Sequence, residues 1–239
     1  MTTSSIDGSQ RKAARIAGFA YLVSFVIVVS VNFGIFARLI VGADPALTAR
    51  NIVAHETLFR VGLAGDLLYC IAVLCVTAAL YVILKPVDQT LALLAAFGRL
   101  VHGFTWLLVS LNLFTALRLL SRSEYASILP PDQLPVLARL YLSGFDQYYV
   151  GLLFWSLAAT SVAYLWLKSG HVPRALAVFG ILSSAWCAVC TSVLFLYPDF
   201  PKLVNLWWFD MPMVLFEIAV SVLLLFRGLR PAVLATHEL

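Results

Sequence analysis

An all-α, polytopic membrane helix bundle of about six transmembrane helices, with two short interfacial helices on the outer side, is the fold class the sequence predicts. Three observations predict it. Hydrophobic residues make up 62% of the 239-residue chain and charged residues only 12%, against about 45–50% and about 25% in soluble domains. Six apolar runs each reach the roughly 20 residues needed to cross a bilayer. Prolines punctuate the joints between those runs, at Pro45, Pro86, Pro130, Pro131, Pro135, Pro173, Pro198, Pro201 and Pro231.

The first run, 16–41, follows Arg11, Lys12 and Arg15 as a signal sequence would, but it is too long for a signal core and is expected to remain as the first span. The others cover 58–84, 90–118, 146–167, 175–197 and 211–228. Pro212 is expected to open the last span, where its missing N–H costs nothing, and no proline is expected inside a span. Between the first two spans, Asp44-Pro45 reads as an N-cap with proline at the first helical position, and a short helix is predicted over 46–57. Asp132 similarly caps a segment through Ser143, with Leu134, Leu137, Leu140 and Tyr141 on one side. The Trp207-Trp208 pair belongs to the outer aromatic belt.

Lys and Arg in the loops set the orientation. With the N-terminus inside, Arg11, Lys12, Arg15, Lys85, Lys168, Arg174, Arg227 and Arg230 all fall on the cytoplasmic face. An even number of spans then returns the C-terminus to the same side. The expected organisation is a cytoplasmic tail over 1–15, a single transmembrane domain over 16–228, and a cytoplasmic tail over 229–239, in a bacterial inner membrane. The net charge of +4 is accounted for by these loop residues, so no nucleic-acid partner is expected. Cys70, Cys75, Cys187 and Cys190 all lie in apolar runs. Cys187-x-x-Cys190 has no second ligand pair, and packing outweighs metal or redox chemistry there. No metal or cofactor is expected.

Five ionisable groups sit where lipid would penalise them, at roughly 2.5–3.5 kcal/mol each near mid-bilayer. They are Asp66 on span two, Arg99 and His102 on span three, Asp146 opening span four, and Glu217 on span six. At about 1.5 Å per residue, Asp66, Arg99 and His102 fall at similar depth, and all five are expected to converge on an outer-side polar cavity. Helical periodicity puts Arg99, His102, Gly103, Trp106 and Ser110 on one stripe, and Gly62, Asp66, Tyr69, Cys70, Val73 and Thr77 on another. Asp146, Tyr149, Thr160 and Tyr164 align on span four, and Met213, Glu217 and Ser221 on span six. Asp66, Arg99, His102 and Glu217 are therefore the candidate catalytic residues, and Tyr69, Trp106, Asp146 and Tyr149 the candidate substrate-binding residues. The competing account is structural: an Asp66–Arg99 ion pair that pins two helices. Gly62 and Gly103 admit close helix approach under either account. Arg60 reads as a snorkelling anchor, Asn112 as an interhelical hydrogen bond, and Ser183, Cys187 and Thr191 as a packing seam.

Phe59-Arg60-Val61-Gly62 running to Asp66-Leu67-Leu68, Phe97-Gly98-Arg99-Leu100-Val101-His102, Lys168-Ser169-Gly170-His171-Val172-Pro173-Arg174 and Phe216-Glu217-Ile218 occur in an order and spacing that resembles a bacterial membrane family catalogued as domain of unknown function 4386. The resemblance implies a multi-pass membrane fold and supplies no reaction. Three functions stay open. The first is binding or conversion of a small lipophilic molecule, with Glu217 or Asp66 as a general acid and Arg99 and His102 stabilising charge. The second is proton-coupled transport, against which stands the absence of proline breaks in the spans. The third is a non-catalytic subunit or sensor whose charges only order helices. Membrane lipid and a small lipophilic ligand are the expected partners, and nothing in the sequence speaks to oligomeric state.

Overall fold

A backbone surrounded by hydrocarbon has no water to bond, so each spanning segment must satisfy its own N–H and C=O groups as a helix. The computed structural model describes the chain apart from residues 1, 2, 5, 43, 122–129, 131–132, 144–146, 198, 231 and 234–239. Its long helices are α1 (Gly8–Val29), α3 (Glu56–Leu84), α4 (Gln89–Ser121), α6 (Tyr148–Ser169), α7 (Arg174–Leu196) and α9 (Leu206–Phe226). The short ones are α2 (Pro45–Ala54), α5 (Gln133–Leu142) and α8 (Phe200–Leu203). Six segments have the length and mean hydropathy of membrane spans, between 1.6 and 2.7. The protein is a multi-pass membrane protein.

The predicted faces of the second and third spans are present. On α3, Asp66, Tyr69, Val73 and Thr77 are buried, while Val61, Leu67, Leu68, Ile71 and Leu74 are exposed. On α4, Arg99, His102, Trp106 and Ser110 are buried, and Leu94, Phe97, Val101, Phe104, Leu108 and Leu111 are exposed. Exposed leucine and phenylalanine on a spanning helix face acyl chains, so these helices are polar inward and apolar outward. Span four departs from expectation. Tyr164 is 48% exposed, and the buried face of α6 is Leu152, Ser156, Ala159, Ala163 and Trp166. Asp146 and Asp132 lie outside the described residues.

Two helix irregularities were not foreseen. The first span begins at Gly8 rather than Ile16, and α1 passes into a π-helical stretch, Ser30–Phe36, before a closing α-turn, Ala37–Leu39. Pro212 does not open the last span but lies within α9. A proline there removes the hydrogen bond that the Trp208 carbonyl would have accepted. Trp186 of α7 supplies a replacement, its indole N–H donating to that carbonyl at 3.0 Å. Because a bare carbonyl in an apolar setting costs about 1–3 kcal/mol, Trp186→Phe is expected to lower stability by about 1 kcal/mol or more. Thermal unfolding in detergent would measure it, and an unchanged melting temperature would contradict the account.

The chain divides into two compact units. The first comprises Met1–Val23, Ala72–Gly103 and Tyr149–Leu239, the second Ser24–Ile71 and Phe104–Tyr148. In the first, α7 packs along α9, with Ser183, Cys187 and Thr191 of the expected seam buried, and Gly180 buried beside them. All four cysteines are free thiols. The two ends of the chain meet in this unit: β1 (Thr3–Ser4) pairs antiparallel with β2 (Ala232–Val233). Near them the Arg230 N–H donates to the His171 carbonyl at 3.1 Å, and the His171 ring contacts the Arg230 carbonyl at 2.8 Å.

At the start of α4, the Asp88 carboxylate accepts from the Leu91 N–H at 3.1 Å and lies 3.4 Å from Lys168 Nζ. The Leu91 N–H, and then the Lys168 ammonium, hold its carboxyl below the usual range. A depressed carboxyl stabilises the fold above its unfolded pKa of about 4 and loses that contribution as pH falls through the lower folded value. Asp88→Ala should therefore melt below the native protein at pH 7, and the gap should close as pH drops below about 4. A gap unchanged from neutral to acid pH would show that the cap carries no such linkage.

In the second unit, Asp44 caps α2 as expected, accepting from the Leu47 N–H at 2.8 Å. The helix packs against α5. On α5 the buried positions are Ala138 and Leu142, and Leu140 is exposed rather than inward. Arg60 is paired with Glu56 at 2.6 Å on an exposed face, and Asn112 donates to the Gln147 side chain at 3.2 Å.

Candidate functional site

A charge inside an apolar helix bundle is tolerated when a counter-charge and hydrogen bonds replace the water it has lost. In the first unit, α4 places Arg99 and α9 places Glu217 so that Arg99 Nη2 and Glu217 Oε1 are 2.5 Å apart. Arg99 is 4% and Glu217 6% exposed, so this is a buried ion pair. Two further donors converge on the same oxygen: the Trp155 indole N–H at 2.9 Å and the Tyr21 hydroxyl at 3.3 Å. Tyr21 in turn accepts from Arg99, whose guanidinium carbon lies 5.2 Å from the Tyr21 ring centroid. Three donors thus converge on the one carboxylate oxygen.

His102, a helical turn along α4 from Arg99, is 2% exposed. Its ring lies 4.8 Å from that of Trp155, tilted by 32°, and it hydrogen-bonds to the Gly151 backbone. Trp155 therefore touches both the imidazole and the carboxylate. A narrow recess lined by Thr77, Tyr81, Ala92, Ala95 and Val162 also reaches Arg99. The packing glycines serve the same centre. A Cβ on Gly180 would collide with the Phe216 ring, and a Cβ on Gly98 would meet the Phe154 carbonyl at 3.0 Å.

Asp66 belongs to the second unit and has different company. Its Oδ1 accepts from the Trp106 indole N–H at 3.2 Å, and the Ser110 hydroxyl donates to the Trp106 backbone carbonyl at 3.0 Å. The Trp106 ring packs on Tyr69, with centroids 4.8 Å apart, and meets Tyr148 edge-on at 5.5 Å. Within the first unit, Arg99 is ion-paired with Glu217. Tyr149, in the first unit, stacks on Phe209 at 6.1 Å and 13°.

Of the expected set, Arg99, His102 and Glu217 come together, and Tyr69, Trp106 and Asp66 form a group in the other unit. Tyr21 and Trp155 were missed, because a tyrosine or tryptophan in an apolar span carries no sequence mark that separates a packing ring from a hydrogen-bond donor. Of the two close-approach glycines, Gly62 is tight, its Cβ position lying 2.7 Å from the Phe36 ring, whereas Gly103 has only ordinary contact with Val73 at 3.6 Å.

No group of three or more histidine, cysteine, aspartate or glutamate side chains suited to a metal occurs among the described residues. The family model for a domain of unknown function (DUF4386) matches residues 16–228. No curated protein and no solved structure matches the chain significantly.

Proposed function

The chain belongs to the family of membrane proteins with that domain of unknown function, and from that premise we propose that its Arg99–Glu217 centre binds or converts a small lipophilic molecule. The single observation behind this is the convergence at Glu217. Three donors, one of them a fixed cation, meet on one oxygen of a buried carboxylate. A carboxyl in a water-poor setting, flanked by a fixed cation, can exchange a proton with an apolar substrate while Arg99 offsets the charge change. His102 and Trp155 line the same centre and would orient the ligand. Asp66 takes no part in this proposal.

The proposed setting is a bacterial inner membrane, with one transmembrane domain over 16–228 and both tails cytoplasmic. The basic loop residues support the orientation, and the β1–β2 pairing supports same-sided termini. Mass spectrometry of the protein purified in mild detergent tests the function. A small molecule should accompany the native chain and be lost from Glu217→Gln and Arg99→Gln. Identical extracts from all three would refute the proposal.

Proton-coupled transport is the second reading, and two observations favour it. The first span contains the π-helical stretch and the last contains Pro212, so neither is an unbroken helix. Interrupted helices are the form carriers give to sites that must change shape. Solute flux in proteoliposomes that ignored an imposed pH gradient would exclude this reading.

A further inference from the structure

We infer that the second unit carries a separate binding site for an organic cation, formed by Asp66 with the rings of Tyr69, Trp106 and Tyr148. The inference is independent of the Arg99–Glu217 centre. It starts from charge. Asp66 is 2% exposed, and its side-chain hydrogen bond comes from a neutral donor, the Trp106 indole. Neutral donors orient a carboxylate without cancelling its charge. Within its own unit, no cation among the described residues forms an ion pair with Asp66; Arg60, which shares its helix, is committed to Glu56. A carboxylate buried among neutral donors favours a cationic partner.

The rings gathered on Trp106, the donor to Asp66, indicate what completes the pair. Tyr69 follows Asp66 on the same face of α3 and packs on Trp106 with centroids 4.8 Å apart. Tyr148 meets Trp106 at 88°, so its plane stands across that of the indole. Rings set at angles beside a carboxylate offer quadrupole faces to a diffuse positive charge and a formal anion to balance it, as in sites that take substituted ammonium groups. Inorganic cations need several oxygen ligands. No three metal-type ligands cluster among the described residues, so an alkylammonium headgroup on an apolar body is the class of ligand that fits.

Equilibrium dialysis of the full-length protein in mild detergent, with benzyltrimethylammonium as probe, tests this. Its carbon isostere neopentylbenzene has the same shape without charge. The native protein should bind the ammonium saturably and about thirtyfold more tightly than the isostere. Asp66→Asn should weaken ammonium binding by about tenfold or more, and Trp106→Leu should weaken it too. Ser192→Ala, remote in sequence from both centres, should bind as the native chain does. Equal binding of ammonium and isostere by the native protein, or no saturable ammonium binding, would overturn the inference, and this comparison stands even if Asp66→Asn fails to fold. Undiminished ammonium binding by a folded Asp66→Asn would overturn it equally.

Discussion

Glu217→Leu is expected to destabilise the folded protein by about 3–5 kcal/mol, because it strands the Arg99 guanidinium in an apolar interior without its counter-charge. Arg99→Met alone should cost a similar amount for the mirror-image reason. The double variant Arg99→Met, Glu217→Leu should recover most of that loss. Two methylene-rich side chains of comparable bulk need no desolvation of charge, and such replacements are often neutral. The coupling between the two sites should therefore be large and of rescuing sign, well above the ~0.5 kcal/mol seen between independent positions. Tyr21→Phe, which removes one donor to Glu217 Oε1 and one acceptor for Arg99, should cost less, about 1.5–3 kcal/mol. Reversible unfolding in mixed micelles measures all four. Single variants within about 1 kcal/mol of native, with no rescue in the double, would mean the pair contributes nothing that apolar packing does not. The stability cycle also bears on function. If the double variant is as stable as the native protein yet loses its copurifying molecule, the pair is kept for what it binds rather than for the fold.

The sequence exposed the fold through hydropathy, and the inward faces through period. Asp66, Tyr69, Val73 and Thr77 recur at helical spacing on one side of α3, and the leucines between them face outward. Burial follows from that pattern whatever the neighbouring helices are. Partner identity does not. Depth counted along a span gives height in the membrane but no rotation about the helix axis and no neighbour. Asp66, Arg99 and Glu217 could therefore be grouped by height, while their division between two units could not be foreseen. Irregular backbone was hidden for another reason. A π-helical stretch changes hydrogen-bond register without changing composition, and Ser30–Phe36 is as apolar as an ordinary helical turn. Pro212 was placed at a helix start because an interior proline orphans a carbonyl. The Trp186 indole that repairs the loss lies on another helix, beyond the reach of local rules. The same holds for Trp155, whose N–H matters only because Glu217 lies opposite.

Gly18→Ala is the other substitution expected to have a large effect, and it reaches the site through backbone alone. A Cβ at Gly18 would lie 2.7 Å from both the Leu225 nitrogen and the Ser221 carbonyl oxygen of α9. Neither is the end of a flexible side chain, so α1 and α9 must move apart. Alanine in place of glycine within a helix is worth about 1 kcal/mol in propensity, whereas overpacking costs about 1–3 kcal/mol and more when backbone must yield. The clash should win. Its consequence extends beyond stability, because Tyr21 lies about one turn along α1 from Gly18, and Glu217 one turn along α9 from Ser221. Separating the helices stretches the 3.3 Å bond between Tyr21 and Glu217, so Gly18→Ala should weaken whatever binding Glu217 supports as well as lowering the melting temperature. Gly103→Ala is the matched contrast. Its Cβ would find Val73 at 3.6 Å, an ordinary contact, and the propensity gain should leave that variant neutral or up to about 1 kcal/mol more stable. Equal melting temperatures for the two alanine variants would contradict a close crossing at Gly18, and with it the placement of Tyr21 against the carboxylate.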